Sequence, residues 1–312
     1  MTTHIHPLPH QSERIFLTDG GIETCLIFLE GLELRDFAAF ELLTSATGRE
    51  HLKGYYRRYA DIARDAGTGF IFESPTWRAS QDWADRLDYS PEEMDQINRD
   101  AITLMRELAG EYGSNLTSVL SGCVGPRGDG YNPAFHMSAA EAEAYHAAQI
   151  ASFAAAGAGL ITAITMTYAD EAIGIARAAA IAGIPAVIAF TVETDGRLPD
   201  GQSIAEAIAA VDAACEVPPA YYMINCAHPS HFEGVLDRES GWVSRISGVR
   251  ANASRMSHAE LDNAEELDAG NPHELGQNYR ELRQLLPNLS VMGGCCGTDH
   301  RHIEAICHAC AA

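Results

Sequence analysis

Basic residues are scarce in this chain. Lysine and arginine together number 21 against 43 aspartates and glutamates, for a formal charge of -22. A surface of that sign repels nucleic acid and anionic membrane wherever salt does not screen it, and it reads as a solvated face. Long apolar runs are also missing. Nothing approaches the roughly eighteen residues of a membrane helix, and the opening MTTHIHPLPHQSER lacks both the basic and the apolar region of a signal peptide. The expectation is a soluble, cytoplasmic protein. Residues 1–13 read as a flexible tail in which His4, His6 and His10 fray, with weak metal binding as the alternative. No Pro/Gly/Ser-rich linker, low-complexity tract or internal repeat interrupts the rest, so residues 14–312 read as one domain.

What is present alternates. Short β-rich runs end near Asp19, Ser74, Gly122, Thr165, Glu193, Asn225, Asn252 and Gly294. Their near-continuous apolar character suits parallel strands covered on both faces. Helical periodicity fills residues 48–66, 91–112 and 138–156, and shorter patterns follow at 169–182, 202–215, 229–240, 272–286 and 299–310. Ser90 with Pro91 and Glu93, and Ser138 with Glu141, have the spacing of helix starts and capping boxes. Eight strand and helix pairs in 312 residues predict a single α/β (β/α)8 TIM barrel. The absence of GxGxxG after the first strand argues against a dinucleotide-binding sheet. The longest connection, 253–271, follows strand seven on the face where barrel enzymes keep their active sites.

Eight cysteines without a secretory signal read as reduced thiols, some of them ligands. Cys226 directly follows strand six, and Cys295 and Cys296 directly follow strand eight. Both strand ends face one mouth of a closed barrel, so three sulfurs can converge there, with Gly293, Gly294 and Gly297 turning the backbone sharply. Three thiolates on zinc leave a coordination position open for a substrate sulfur, whose pKa the metal lowers. The bland alternatives are small buried side chains, or a closed structural site completed by His228. Cys25 and Cys123, just beyond strands one and three, read as small core residues, with a place in a ring around the pocket as the alternative. The Cys307/Cys310 pair, with His308 between, reads as a helix face, and Trp77 reads as packing or as a cation-π partner for a methylsulfonium.

The segments LTDGGIETCL, SGCVGPRGDGY, FTVETDGRLPDGQSIAEAI, INC and MGGCCGT together resemble the homocysteine S-methyltransferase family of zinc-dependent TIM barrels. The resemblance implies Zn2+ on Cys226, Cys295 and Cys296, a small thiol acceptor, and a small methyl donor. It implies a homocysteine pocket at Asp19, Gly20, Gly21, Glu73 and Ser74, with Asn225 and Asn252 beside it; Asp19 reads equally as a helix-cap or turn aspartate. One departure matters. Where the family commonly has a glutamate for the amino group of homocysteine, this chain has Ile164, so either Glu193 or another carboxylate takes over, or the acceptor is a different thiol. Arg250, Arg255 and His258 are additional cations near the mouth, to meet a substrate carboxylate or to pair with Glu260 or Asp262.

The resulting expectation is a zinc-dependent S-methyltransferase moving a methyl group from S-methylmethionine, S-adenosylmethionine or a betaine to homocysteine, giving methionine. A sulfonium donor is favoured over betaine because the sequence stops soon after GGCCGT, and a cobalamin or folate domain is not expected. Two alternatives keep the thiols: a zinc lyase or hydrolase, disfavoured because HExxH is missing, and a non-catalytic zinc- or thiol-binding barrel.

Overall fold

A computed structural model describes residues 8–130, 136–264 and 266–311. Eight parallel strands close in sequence order, β1 pairing with both β2 and β8. They are β1 (Phe16–Leu17), β2 (Gly69–Glu73), β3 (Thr117–Val124), β4 (Leu160–Met166), β5 (Ala186–Phe190), β6 (Tyr221–Asn225), β7 (Ile246–Ala251) and β8 (Val291–Gly294). The helices are α1 (Ile22–Thr24), α2 (Ala46–Asp65), α3 (Gln81–Arg86), α4 (Pro91–Tyr112), α5 (Ala139–Ala156), α6 (Ala169–Ala182), α7 (Ile204–Ala214), α8 (Pro229–Phe232), α9 (His258–Asp262), α10 (Pro272–Leu285) and α11 (His300–Cys310). This is the expected (β/α)8 barrel. None of the described helices is long and apolar enough to cross a membrane.

Local chemistry sets the helix starts. At α4 the Ser90 amide donates to Glu93 Oε2 at 2.8 Å and the Glu93 amide returns to Ser90 Oγ at 3.2 Å. The reciprocal pair recurs at Ser138 and Glu141 before α5. Two apolar layers result. Phe16, Ile71, Val119, Leu160, Val187, Tyr221 and Val291 fill the barrel interior, and a larger cluster seals strands to helices.

Several boundaries differ from the sequence reading, each for a local reason. The helix expected over 229–240 stops at Phe232, where a 3-10 turn, Glu233–Val235, takes over. Asp237 then accepts from the Glu239 amide and the Ser240 hydroxyl, a turn that competes with helix. Strand five stops at Phe190 instead of running to Glu193, because the Glu193 amide turns back to the Arg197 carbonyl at 2.8 Å. The connection 253–271 contains α9, capped by Ser257 and Glu260. At the other end of the barrel, Pro9–Gln11 forms a 3-10 turn, Leu8 packs against the interior layer, and His10 lies over Tyr221 with ring centroids 5.3 Å apart. His4 and His6 lie outside the described residues.

Candidate active site

The C-terminal strand ends surround a cavity of about 380 Å³. Cys226, Cys295 and Cys296 line it, and their three sulfurs lie within 4.8 Å of one another, Cys226 Sγ to Cys296 Sγ being 3.6 Å. Sulfurs bound tetrahedrally at 2.3 Å from zinc stand about 3.8 Å apart, so the spacing of the donor set is compatible with that ion. Among the described residues no fourth ligand joins the cluster. His228 is turned away: its Nδ1 accepts from the Ser230 amide at 3.2 Å, and burial, with Arg255 adding, pushes its pKa down to about 4.

Backbone shape brings the thiols together. Cys226 takes the left-handed conformation at φ 56°, unusual for a residue with a side chain. Its carbonyl is held by Asn252 Nδ2 at 2.9 Å and by His258 Nε2 at 2.8 Å. Of the three glycines of the second turn, only Gly297 has a positive φ, 79°. Gly293 and Gly294 answer a different need: a Cβ there would overlap the side chains of Thr18 and Thr298. The sequence reading assigned them to turning; the structure assigns them to close approach.

Charge in the floor is arranged around Arg250. Its Nη2 donates to Asp19 Oδ1 at 2.7 Å, its Nη1 to Glu73, and its Nε to the Gly294 carbonyl at 3.1 Å. Tyr55 on α2 donates to the other Asp19 oxygen at 3.0 Å, and Ser121 donates to Glu73 Oε1 at 3.2 Å. Burial pushes the Asp19 carboxyl up, with Arg250 and Tyr55 opposing. The cations expected to pair with Glu260 or Asp262 pair elsewhere. Arg250 takes Asp19 and Glu73, Arg255 takes Glu274 on the surface, and His258 Nδ1 meets Glu193 Oε1 at 3.1 Å. Capping geometry is the reason for Glu260, whose carboxylate receives the Ser257 amide and hydroxyl.

Asp19, Gly20, Gly21, Glu73 and Ser74 all line the cavity, as does Ile164. Glu193, Asn225 and Asn252 stand outside its lining. Asn225 instead clamps the end of β4: its Oδ1 accepts from the Thr165 amide at 2.8 Å and its Nδ2 donates to Thr165 Oγ1 at 3.0 Å. Thr165 is held at φ 64°, and the β4–β5 register shifts between Ala163 and Met166. A β-branched residue in that region is strained. Cys123 lines the cavity; Cys25 lies behind it, its thiol donating to the Thr298 carbonyl at 3.3 Å. Cys307 and Cys310 are buried on α11. Trp77 lines the cavity with the Arg78 guanidinium 4.9 Å from its ring centre.

Glu23, Arg78, Thr165 and Tyr56 also line the cavity and are not among the residues the sequence singles out; Tyr55, which holds Asp19, is likewise not among them. The tyrosines were findable in principle, since three of them at 55, 56 and 59 present hydroxyls that a buried stripe must satisfy. Nothing local marks Thr165, because its conformation depends on Asn225 sixty residues away.

Fold and site together define a TIM barrel built around a cluster of thiols at its C-terminal mouth. The chain belongs to the homocysteine S-methyltransferase family, whose sequence profile matches residues 16–310. It is similar in structure to the homocysteine methyltransferase MmuM from Escherichia coli. The oxidised form is 19% identical with a TM-score of 0.76, covering 95% of this chain and 96% of that one. The metallated form is 20% identical with a TM-score of 0.73, covering 96% and 97%. At that identity the likeness is one of fold. Curated protein sequences include no match.

Proposed function

We propose that this protein is a zinc-dependent S-methyltransferase that moves a methyl group from a small sulfonium or betaine donor to homocysteine, giving methionine. The observation that carries the reading is the convergence of Cys226, Cys295 and Cys296 at zinc-compatible spacing on the wall of the cavity, in a chain of this family. Zinc held by these three residues supplies thiol activation: it lowers the pKa of a fourth, substrate sulfur so that the nucleophile is ionised near neutral pH. The reaction is an in-line displacement in which the acceptor sulfur forms a bond to the methyl carbon and the donor leaves as a thioether or an amine.

The protein's own contribution is alignment. Asn252 and His258 hold the Cys226 carbonyl, and through it the left-handed turn that aims the thiol. Asn225 fixes the strained Thr165 backbone and reaches Cys295 Sγ at 3.9 Å. Asp19 and Glu73, fixed by Arg250, build a rigid polar floor. Trp77, Phe28 and Phe37 give the cavity an aromatic share suited to a methylated cation. Glu193, occupied by His258 and outside the lining, is better suited to positioning than to contact with substrate. Ile164 favours a second reading, methyl transfer to a thiol that lacks an amino group, since an aliphatic side chain offers an ammonium nothing.

Replacing Cys296 by Ser tests the proposal. Metal analysis is expected to show most zinc lost, and methionine formation is expected to vanish with it. Retained transfer in a zinc-poor variant would sink the mechanism.

A further inference from the structure

We propose that Glu23 is the specificity-determining carboxylate of the acceptor pocket, receiving the ammonium group of an amino-acid thiol. The inference rests on the methyl-transfer reading above and names how the acceptor is held. Ile164 at the end of β4 lines the cavity where a carboxylate would be expected, and it supplies no charge. The other enclosed carboxylates of the lining are already engaged. Asp19 and Glu73 share Arg250, and Asp268 accepts from the Ser254 hydroxyl at 2.6 Å and the Gly270 amide at 3.0 Å. Asp129 is ion-paired with Arg78 at 3.4 Å. Asp262 and Glu266 stand exposed on the rim. Glu23 lines the same cavity, and among the described residues its carboxyl accepts no side-chain hydrogen bond, Arg78 being the one cation whose charge favours its ionised form.

Its backbone is stitched to the thiol turn. The Gly21 amide donates to the Thr298 carbonyl at 3.1 Å, and a Cβ at Gly21 would stand 2.5 Å from the Cys295 carbonyl oxygen. Thr24 Oγ1 accepts from the Gly297 amide at 3.2 Å. Glu23 therefore belongs to a segment fixed on both sides to residues 295–298 and lines the cavity that the three thiols also line. Burial pushes its carboxyl up to about 7, its own backbone amide and Arg78 opposing and Cys295 and Asp19 adding. A half-buried carboxylate inside a cavity gains more from an ammonium partner than a surface one does.

The test is calorimetric binding to zinc-loaded protein of L-homocysteine and of 4-mercaptobutanoate, which has the same carbon chain and carboxylate without the amine. Wild type is expected to bind homocysteine roughly ten- to a hundredfold more tightly, the range of one charge-assisted hydrogen bond. Glu23→Gln is expected to bring that ratio close to one by weakening homocysteine, and Glu23→Asp to keep part of the preference. Equal binding of the two thiols by wild type, or an unchanged ratio in Glu23→Gln, overturns the assignment. Methionine formation from homocysteine by the same proteins, supplied with S-methylmethionine, S-adenosylmethionine or betaine in turn, separates the two claims. A Glu23-dependent preference without methyl transfer upholds this residue and removes the methyl-transfer reading. Transfer with an unchanged ratio does the reverse, and failure of wild type to bind either thiol overturns both.

Discussion

Burying a guanidinium with two carboxylates takes three charges out of water, a cost that is met only while all three stay paired and hydrogen-bonded. Arg250, Asp19 and Glu73 are each about 5% exposed or less, and every charged group has a partner. Arg250→Ala leaves two adjacent buried anions; the expected loss is about 3–5 kcal/mol, read as a fall in the urea midpoint, and a loss below about 1 kcal/mol would contradict the pairing. The sequence puts these three residues at the ends of strands one, two and seven, Asp19 and Glu73 as pocket positions and Arg250 as a cation that meets a substrate carboxylate or pairs with Glu260 or Asp262. The triad was not legible because Arg250 meets Asp19 across 231 residues of chain and only barrel closure makes them neighbours. The thiols were legible for the opposite reason: each directly follows a strand, so topology alone delivers them to one mouth. Glu23 carries no such signal, since an isolated glutamate beside a glycine turn looks like an ordinary first-turn acid.

Among the elements, β8 and α11 carry the paired cysteines between them, and each end of that segment can be tested. Gly293 lies against Thr18 and Asp19, which directly follow the first strand. Gly293→Ala is expected to pry β8 from β1, costing about 1–3 kcal/mol as overpacking does, and to weaken zinc retention. A variant as stable and as zinc-rich as wild type would show that the close approach has slack. On the other side, Asp299 caps α11: its Oδ1 accepts from the Arg301 amide at 2.9 Å, and its carboxylate also meets the side chains of Arg301 and His302. Burial opposes its ionisation, but His302 and Arg301 outweigh it and hold the carboxyl well below the ordinary range. A depressed folded pKa contributes stability that is full above the unfolded value, near 4, and is lost as pH falls below it. Asp299→Ala is expected to cost about 1–2 kcal/mol at pH 7 and progressively less below about pH 4. A pH-independent difference in thermal or urea unfolding would contradict that sign. Helix starts such as Ser90 and Ser138 were readable because a capping box is a local pattern. The end of α8 was not, because Asp237 competes with the helix from beyond it.

For the molecule as a whole, the alternation of apolar runs and periodic helices was enough to specify a closed barrel, since eight buried parallel strands with helical crossovers have few other ways to cover both faces. Ends of strands were less legible, because they are set at the mouth by turns and side-chain clamps such as Asn225 on Thr165. That is also where strain gathers, consistent with a mouth built for positioning. The central claim is that three thiols on this barrel activate homocysteine for methylation. Methionine production from homocysteine by the purified protein tests it most directly, with S-methylmethionine, S-adenosylmethionine and betaine supplied in turn, before and after zinc is removed by a chelator and restored. The account predicts methionine from one of these donors, lost on chelation and regained with zinc. Protein that holds one zinc per chain and forms no methionine from any of them would contradict it.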